Sequence, residues 1–216
     1  MSFVVPPTFL FRYSFAARHV AAVPRRGRKL LDLPTDCAVP NLDPENDASS
    51  FGVVSLAWNE GGLGVAVTVR GKQAPTVSVP DQPTESDGLQ VWIDTRDTQT
   101  IHRASRFCHH FCLLPPAKKS SKPTVEQLPI ARSRDEAPAT DVEQIRLACQ
   151  TRKDGYTLEA WFPAESLHGF NVEASPRLGF TYALRDSELG EQFLTVGREF
   201  PFAHDPSLWS TVELTR

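Results

Sequence analysis

FGVVSLAWNEGGLGVAVTVR, residues 51–70, decides the fold. Phe51–Trp58 and Leu63–Arg70 are valine-rich runs separated by Asn59-Glu60-Gly61-Gly62. Two such runs around a glycine-containing turn read as a β-hairpin. In the second run Leu63, Val65, Val67 and Val69 share one face, as the two-residue period of a strand requires. The pattern continues outward. Leu89, Val91 and Ile93 alternate with Gln90, Trp92 and Asp94, and Ala104–Leu114 repeats this at higher polarity. Ile145, Leu147 and Cys149 alternate with Arg146 and Ala148. Tyr156–Phe162 follows an Asp154-Gly155 turn, and Leu178–Leu184, Gln192–Val196 and Trp209–Leu214 complete the series. Thr8–Phe15 is the first expected strand. About eleven short strands at this spacing predict an all-β, antiparallel β-sandwich of ten to twelve strands. The one helical turn expected is Pro163–Leu167, led by proline and stopped by Gly169.

Composition agrees. The 216 residues are 40% hydrophobic and 23% charged, which excludes a disordered or fibrous chain and fits one domain over residues 1–216. Eighteen prolines against one methionine favour short elements and turns. A net charge of −3 gives no reason to expect nucleic acid or a membrane as partner, and no apolar run approaches the ~18 residues of a span. Pro6, Pro7, Arg12, Arg18 and His19 break the N-terminal apolar stretch, so no secretory signal is read there. The prolines also oppose an Arg-rich presequence helix, and Arg25, Arg26, Arg28 and Lys29 read as a basic loop. Cys37, Cys108, Cys112 and Cys149 form no disulfide framework, so a reduced cytoplasm is the expected compartment. The sequence leaves the oligomeric state open. Residues 115–143, with five prolines and many charges, read as an exposed insertion carrying a short strand at Val125–Ala131.

Several segments together carry a family resemblance. LAWNEGGLGVAVTVRGK resembles the strand, Trp-Asp-x-x-x-Leu, strand opening of family 9 carbohydrate-binding modules. ESDGLQVWIDTRD resembles their Asp-Ser-x-Glu-x-x-Ile-Asp strand, with Asp87 and Asp94 as the two aspartates. DGYTLEAWFPAESLHG resembles their Gly-Tyr-x-x-Glu-x-x-Ile-Pro segment, with Glu159 and Pro163 in place. RLGFTYALRD carries Asp186 where the family has an aspartate, and DPSLWSTVEL resembles the closing segment. The order is kept from Phe51 to Leu214. The resemblance implies a DOMON-like β-sandwich that binds carbohydrate without catalysis. It also implies a pair of tryptophans sandwiching a sugar ring, at positions that here hold Thr84 and Ala203. The family's sugar-contacting glutamate falls at Gln90, and its arginine on the next strand falls near Cys108. Some members bind calcium, for which Asp87, Glu159 and Asp186, with Asp94, are the matching acids.

With the tryptophan pair absent, the expected ligand site moves to the polar face of the Leu89–Asp94 strand. Gln90, Trp92 and Asp94 offer an aromatic ring between an amide and a carboxylate, which suits a sugar's CH face and hydroxyls. The other reading of Trp92 is packing under the insertion. Arg96, Arg103 and Arg106, with His102 and His110, would suit an anionic group such as a sugar acid. Their alternative is pairing with Asp94, Asp97 and Glu85. Cys108, His109, His110 and Cys112 invite a zinc reading that strand geometry opposes. Same-face neighbours lie roughly 6.5–7 Å apart, so Cys108 and Cys112 would be about 13 Å apart. Two further functions stay open. One is a glycosidase using paired carboxylates among Asp87, Asp94 and Glu159. The other is a sandwich reused for protein–protein interaction. Haem ligated by His109 or His110 is a more distant alternative drawn from the wider superfold.

Overall fold

The computed structural model describes residues 12–27, 29–42, 50–79, 81–116 and 121–216. The hairpin is β2 (Gly52–Asn59) and β3 (Gly62–Arg70), paired antiparallel from Gly52 opposite Val69 to Asn59 opposite Gly62. Gly62 takes a positive φ, and a Cβ there would collide with the carbonyl of Phe162, so the close approach of β8 requires glycine. β3 pairs with β8 (Gly155–Pro163), and β8 with β7 (Arg146–Arg152). The other sheet runs β6 (Thr124–Leu128), β5 (Cys108–Leu114), β4 (Gly88–Asp94), β9 (Arg177–Asp186) and β11 (Ser210–Thr215). The short β10 (Gly190–Phe193) also pairs with β9. β1 (Ser14–His19) joins the two sheets, lying parallel to β11 and, at Arg18 and His19, parallel to β2.

The β-sandwich is therefore present, but it is not wholly antiparallel: both pairings of β1 are parallel. Only the start of β1 overlaps the expected first strand, whose residues 8–11 lie outside the described residues, as do Pro6, Pro7 and Arg28. The strand reaches on through Ala16, Ala17 and Arg18, residues of poor strand character. Pairing with β11 along their length, joined by β2 at Arg18, holds them extended, an instance of tertiary context overriding propensity. The expected helical turn is a single 3₁₀ turn at Ala164–Ser166. The insertion is partly integrated. β6 pairs with β5 and Ile130 is buried, while residues 117–120 lie outside the described residues.

The main core lies between the sheets. Leu89, Val91, Ile93, Phe111 and Leu113 face Val65, Val67, Leu158 and Phe162, and the rings of Phe111 and Phe162 are 4.9 Å apart. The alternation of β4 holds as the sequence predicts, so Gln90, Trp92 and Asp94 fall on the outer face. That face is itself covered, by Val196, Phe202, Trp209 and Ile130, in a second apolar cluster around Trp92. No helix among the described residues is long and apolar enough to cross a bilayer.

Candidate functional site

Pairing register builds the site. Trp92 sits opposite His110 on β5 and Thr181 on β9, while Gln90 sits opposite Cys112 and Ala183. Trp92 and His110 are thus outer-face cross-strand neighbours, and their rings stack at 4.1 Å and 10°. Phe202 meets the Trp92 ring edge-on at 5.3 Å. His110 Nε2 is 3.3 Å from Gln90 Oε1, and the Gln90 amide donates to the Thr84 carbonyl at 3.4 Å. Burial pushes the His110 pKa down to about 3, so the ring is neutral and its Nε2 donates to Gln90. Trp92 is only 2% exposed and its Nε1 has no partner among the described residues. It floors the site and is not an open platform. The cover over it is mainly the 196–209 segment, fixed where Trp209 Nε1 donates to the Phe202 carbonyl at 2.8 Å.

Above this floor is a cleft of about 420 Å³. Thr84 and Glu85 line one wall, and Phe193, Arg198 and the Phe200–His204 segment line the other. Both positions at which the resemblance places tryptophans, Thr84 and Ala203, are therefore on this one cleft, with Gln90 between them. Phe193 and Phe200 are its part-exposed aromatic surfaces. The charged lining residues Arg198 and Glu85 belong to an alternating chain of charges that runs beside the cleft. Arg198 is held by Glu191 at 2.5–3.0 Å, Glu191 also meets Arg185, and Arg185 meets Glu85. Two cations and two anions leave no local excess of either sign.

Of the predicted ligand residues, Gln90, Trp92 and His110 are on the cleft. The others are not. Asp94 is buried below the next turn, where its carboxylate accepts from the amides of Arg96 at 2.9 Å and Thr98 at 2.7 Å. Burial raises its pKa against the lowering effect of those amides. Arg96 and Arg106 stack on the ring of Phe107, at 4.9 and 5.2 Å. Arg103 donates to the carbonyls of Arg132 and Ser133, closing the turn after β6. The arginines thus serve their own loops, and only the Phe107 platform brings two of them together. The sequence reading missed Phe193, Arg198 and Phe200. The aromatic-proline-aromatic run Phe200-Pro201-Phe202, just ahead of Ala203, was the available signal.

The acids proposed for calcium do not converge. Asp87 and Asp186 are brought together, but around a lysine. Lys72 Nζ is 3.1 Å from Asp87 Oδ2 and 2.9 Å from Asp186 Oδ1, and all three side chains are at most 2% exposed. Burial lowers the Lys72 pKa, but the two carboxylates outweigh it and the net shift is upward. An ammonium occupies the position that a metal would need. Glu159 is elsewhere, on the outer face of the other sheet, where it accepts amides from Leu30 at 2.8 Å, Leu31 at 3.3 Å and Asp32 at 2.7 Å. These residues do not fit a shared calcium. No cluster of three or more His, Cys, Asp or Glu that could hold a metal occurs among the described residues.

The same geometry separates the glycosidase carboxylates. Asp87 and Asp94 are at opposite ends of β4, roughly 20 Å apart, and Glu159 is on the other sheet, whereas such pairs work at about 5–10 Å. Cys108, His110 and Cys112 share the outer face of β5, while His109 turns inward beside Phe111. Burial raises Cys108 and Cys112 to about 12 and lowers His109 to about 4. These are inert thiols and a neutral imidazole, and they do not form the converging set of ligands that zinc requires. His109 and His110 point to opposite faces of β5, and His110 Nε2 is bonded to Gln90, so the two do not meet at one haem face.

No family model matches the chain, and no curated protein matches it by sequence. The structure does match. A family 9 carbohydrate-binding module from Caldicellulosiruptor kristjanssonii in complex with glucose superposes with a TM-score of 0.64 at 14% identity. The match covers 94% of this chain and 95% of that one. The same module in complex with cellotriose gives 0.63 at 13% identity, covering 94% of each. The fold is that of a family 9 carbohydrate-binding module. Within this module fold, the cleft between Thr84 and Ala203 is where the sequence resemblance places the sugar-binding tryptophans.

Proposed function

We propose that the protein is a non-catalytic binding module for a neutral carbohydrate, held in the cleft over Gln90, Trp92 and His110. The observation that carries this is the shared cleft itself: Thr84, Gln90 and Ala203, three positions matched to sugar contacts on motif grounds alone, line one cavity. Phe193 and Phe200 supply the apolar surface that the absent tryptophans would have given, and Gln90 and His110 supply polar groups on its floor. The balanced pairing of Arg198 and Glu85 on the cleft with Glu191 and Arg185 beside it favours a neutral sugar over a sugar acid. The solved modules of this fold are in complex with glucose and cellotriose, which makes β-linked glucans the first ligands to try.

A protein-docking role has less support. Val53 and Val77 are the large hydrophobics that stand exposed among the described residues, and such isolated residues are ordinary surface.

A glycan array with the purified protein tests the proposal. Binding to a defined neutral glycan, weakened at least fivefold by Phe200→Ala and strengthened by Ala203→Trp, is expected. Ala203 is exposed, so a ring there rebuilds half of the tryptophan pair without disturbing the core. An array with no binding by the wild type or by the Thr84→Trp/Ala203→Trp double variant would refute the proposal.

A further inference from the structure

A second cleft of about 680 Å³ adjoins the first and shares Phe200 and Pro201 with it. It is the larger of the two. His102, Asp205 and Ser207 line one part of it, and Thr195 and Leu208 another.

The polar groups are organised. His102 Nδ1 is 3.2 Å from Asp205 Oδ2 and 3.1 Å from Ser207 Oγ. Ser207 Oγ donates to Asp205 Oδ1 at 2.6 Å, and the Ser207 amide donates to the same oxygen at 3.0 Å. The Asp205 carboxylate at Nδ1 favours the tautomer with its proton there, which leaves Nε2 on the outer edge as an acceptor. The His102 side chain is 77% exposed, so its outer edge is open to a ligand hydroxyl. This is not a nucleophilic triad. Serine and aspartate meet the same ring nitrogen, and the serine proton goes to the carboxylate, so no base is placed to activate the hydroxyl.

Thr195 supplies the second observation. The residue is 5% exposed, and its Oγ1 has no hydrogen-bond partner among the described residues. A buried hydroxyl left unpaired destabilises the fold, and an isosteric methyl would serve packing as well or better. An unpaired hydroxyl on a residue of the cavity wall is a group that a ligand entering the cavity would satisfy.

We infer that this second cleft is a further saccharide subsite, and that the ligand is an oligosaccharide crossing the Phe200–Pro201 ridge from one cleft to the other. The inference rests on the carbohydrate reading of the first cleft. Sugar hydroxyls match an acceptor at His102 Nε2 and the hydroxyls of Thr195 and Ser207, while the ring's CH face matches Pro201 and Leu208. A polyol fits this mixture better than an ion of either sign, because the wall carries both the Asp205 carboxylate and Arg12.

The experiment is calorimetric titration with the mono- and trisaccharides of β-1,4-linked glucose, mannose and xylose, using wild type, His102→Ala and Thr195→Val. The expected result is trisaccharide binding at least about tenfold tighter than the matching monosaccharide. Each variant should lose 2- to 10-fold of the trisaccharide affinity and keep the monosaccharide affinity, the range for one net hydrogen bond. Thr195→Val should melt no lower than wild type, which separates lost ligand contact from lost folding. The His102 ring resonances should move with trisaccharide and not with monosaccharide. Equal affinity for the two chain lengths, or trisaccharide affinity unchanged in both variants, overturns the second subsite and leaves the first cleft standing. No binding in any series, with a blank glycan array, overturns the carbohydrate reading itself and this inference with it.

Discussion

Replacing Lys72 with methionine should destabilise the protein by about 3 kcal/mol at pH 7. The substitution keeps the length and removes the charge between Asp87 and Asp186. Breaking a buried ion pair on one side costs about 3–5 kcal/mol, because the remaining charge has neither water nor partner. The lower end applies here because both carboxylates keep other donors. Asp87 accepts the amides of Val77 at 2.8 Å and Ser187 at 2.7 Å, and Asp186 those of Glu188 at 3.0 Å and Leu189 at 3.1 Å. For a chain of this size the loss corresponds to about 6–12 °C in melting temperature. The pH dependence follows from sign. Without the ammonium, two like charges face each other in a buried site and one carboxyl of the pair gains a raised pKa. Such a group is fully accommodated when protonated and unfavourable when charged, so the deficit should shrink towards pH 4. In the wild type the raised Lys72 pKa places its contribution fully below 10.5, and it is lost only at higher pH. Urea denaturation followed by circular dichroism at pH 7 and pH 4 measures both. A loss under about 1 kcal/mol at pH 7, or the same loss at both pH values, would show that the ammonium is not what neutralises this site.

Three further outcomes are expected. Adding a chelator to the wild type should leave its melting temperature unchanged, since Lys72 already neutralises Asp87 and Asp186; a fall of several degrees in a thermal scan would contradict this. Acid should destabilise the fold below pH 6.5, because His109 and His110 have pKa values lowered to about 4 and about 3 by burial. The unfolded chain then takes up protons that the folded one excludes. The stability present above pH 6.5 is lost by nearly 2 kcal/mol per histidine at pH 5, and His110→Gln should remove about half of that slope in denaturation series. Native thiols should be unreactive towards a disulfide reagent at pH 8, with part-exposed Cys149, raised to about 11, reacting before Cys108 and Cys112. Rapid labelling of Cys108 or Cys112 in the folded protein would mean that the β5 outer face opens.

Strand alternation made much of this legible. Leu63–Val69 and Leu89–Ile93 face the core as their period requires, and the ordered motifs from Phe51 to Leu214 pointed to the module fold found in the structure. The site was only half legible. Gln90, Trp92 and His110 were placed by register, because neighbours across a sheet follow from pairing. Asp94, Arg103 and the calcium acids were not, because the sequence does not show which local amide, carbonyl or ammonium a charged side chain will find. Lys72 is the clearest case. It sits far in sequence from Asp186, and only the packed turn between β9 and β10 brings them together. Phe200 escaped because a folded-over segment with no strand period makes that part of the cleft wall, and Phe193, though on an expected strand, because pairing alone does not show which loop its ring will meet.

The position of β1 sets how this protein carries load. Ser14 pairs with Thr211 and Arg18 with Thr215, so the strand entering the domain and the strand leaving it run side by side in the same direction. Tension arriving along the chain before Ser14 and after Thr215 pulls these two strands past each other lengthwise. Their interstrand bonds are then strained together, where a hairpin pulled from its open end would lose them one by one. Forced unfolding is governed by the unfolding rate, so this shear geometry should make the seam between the sheets the mechanical clamp of the domain.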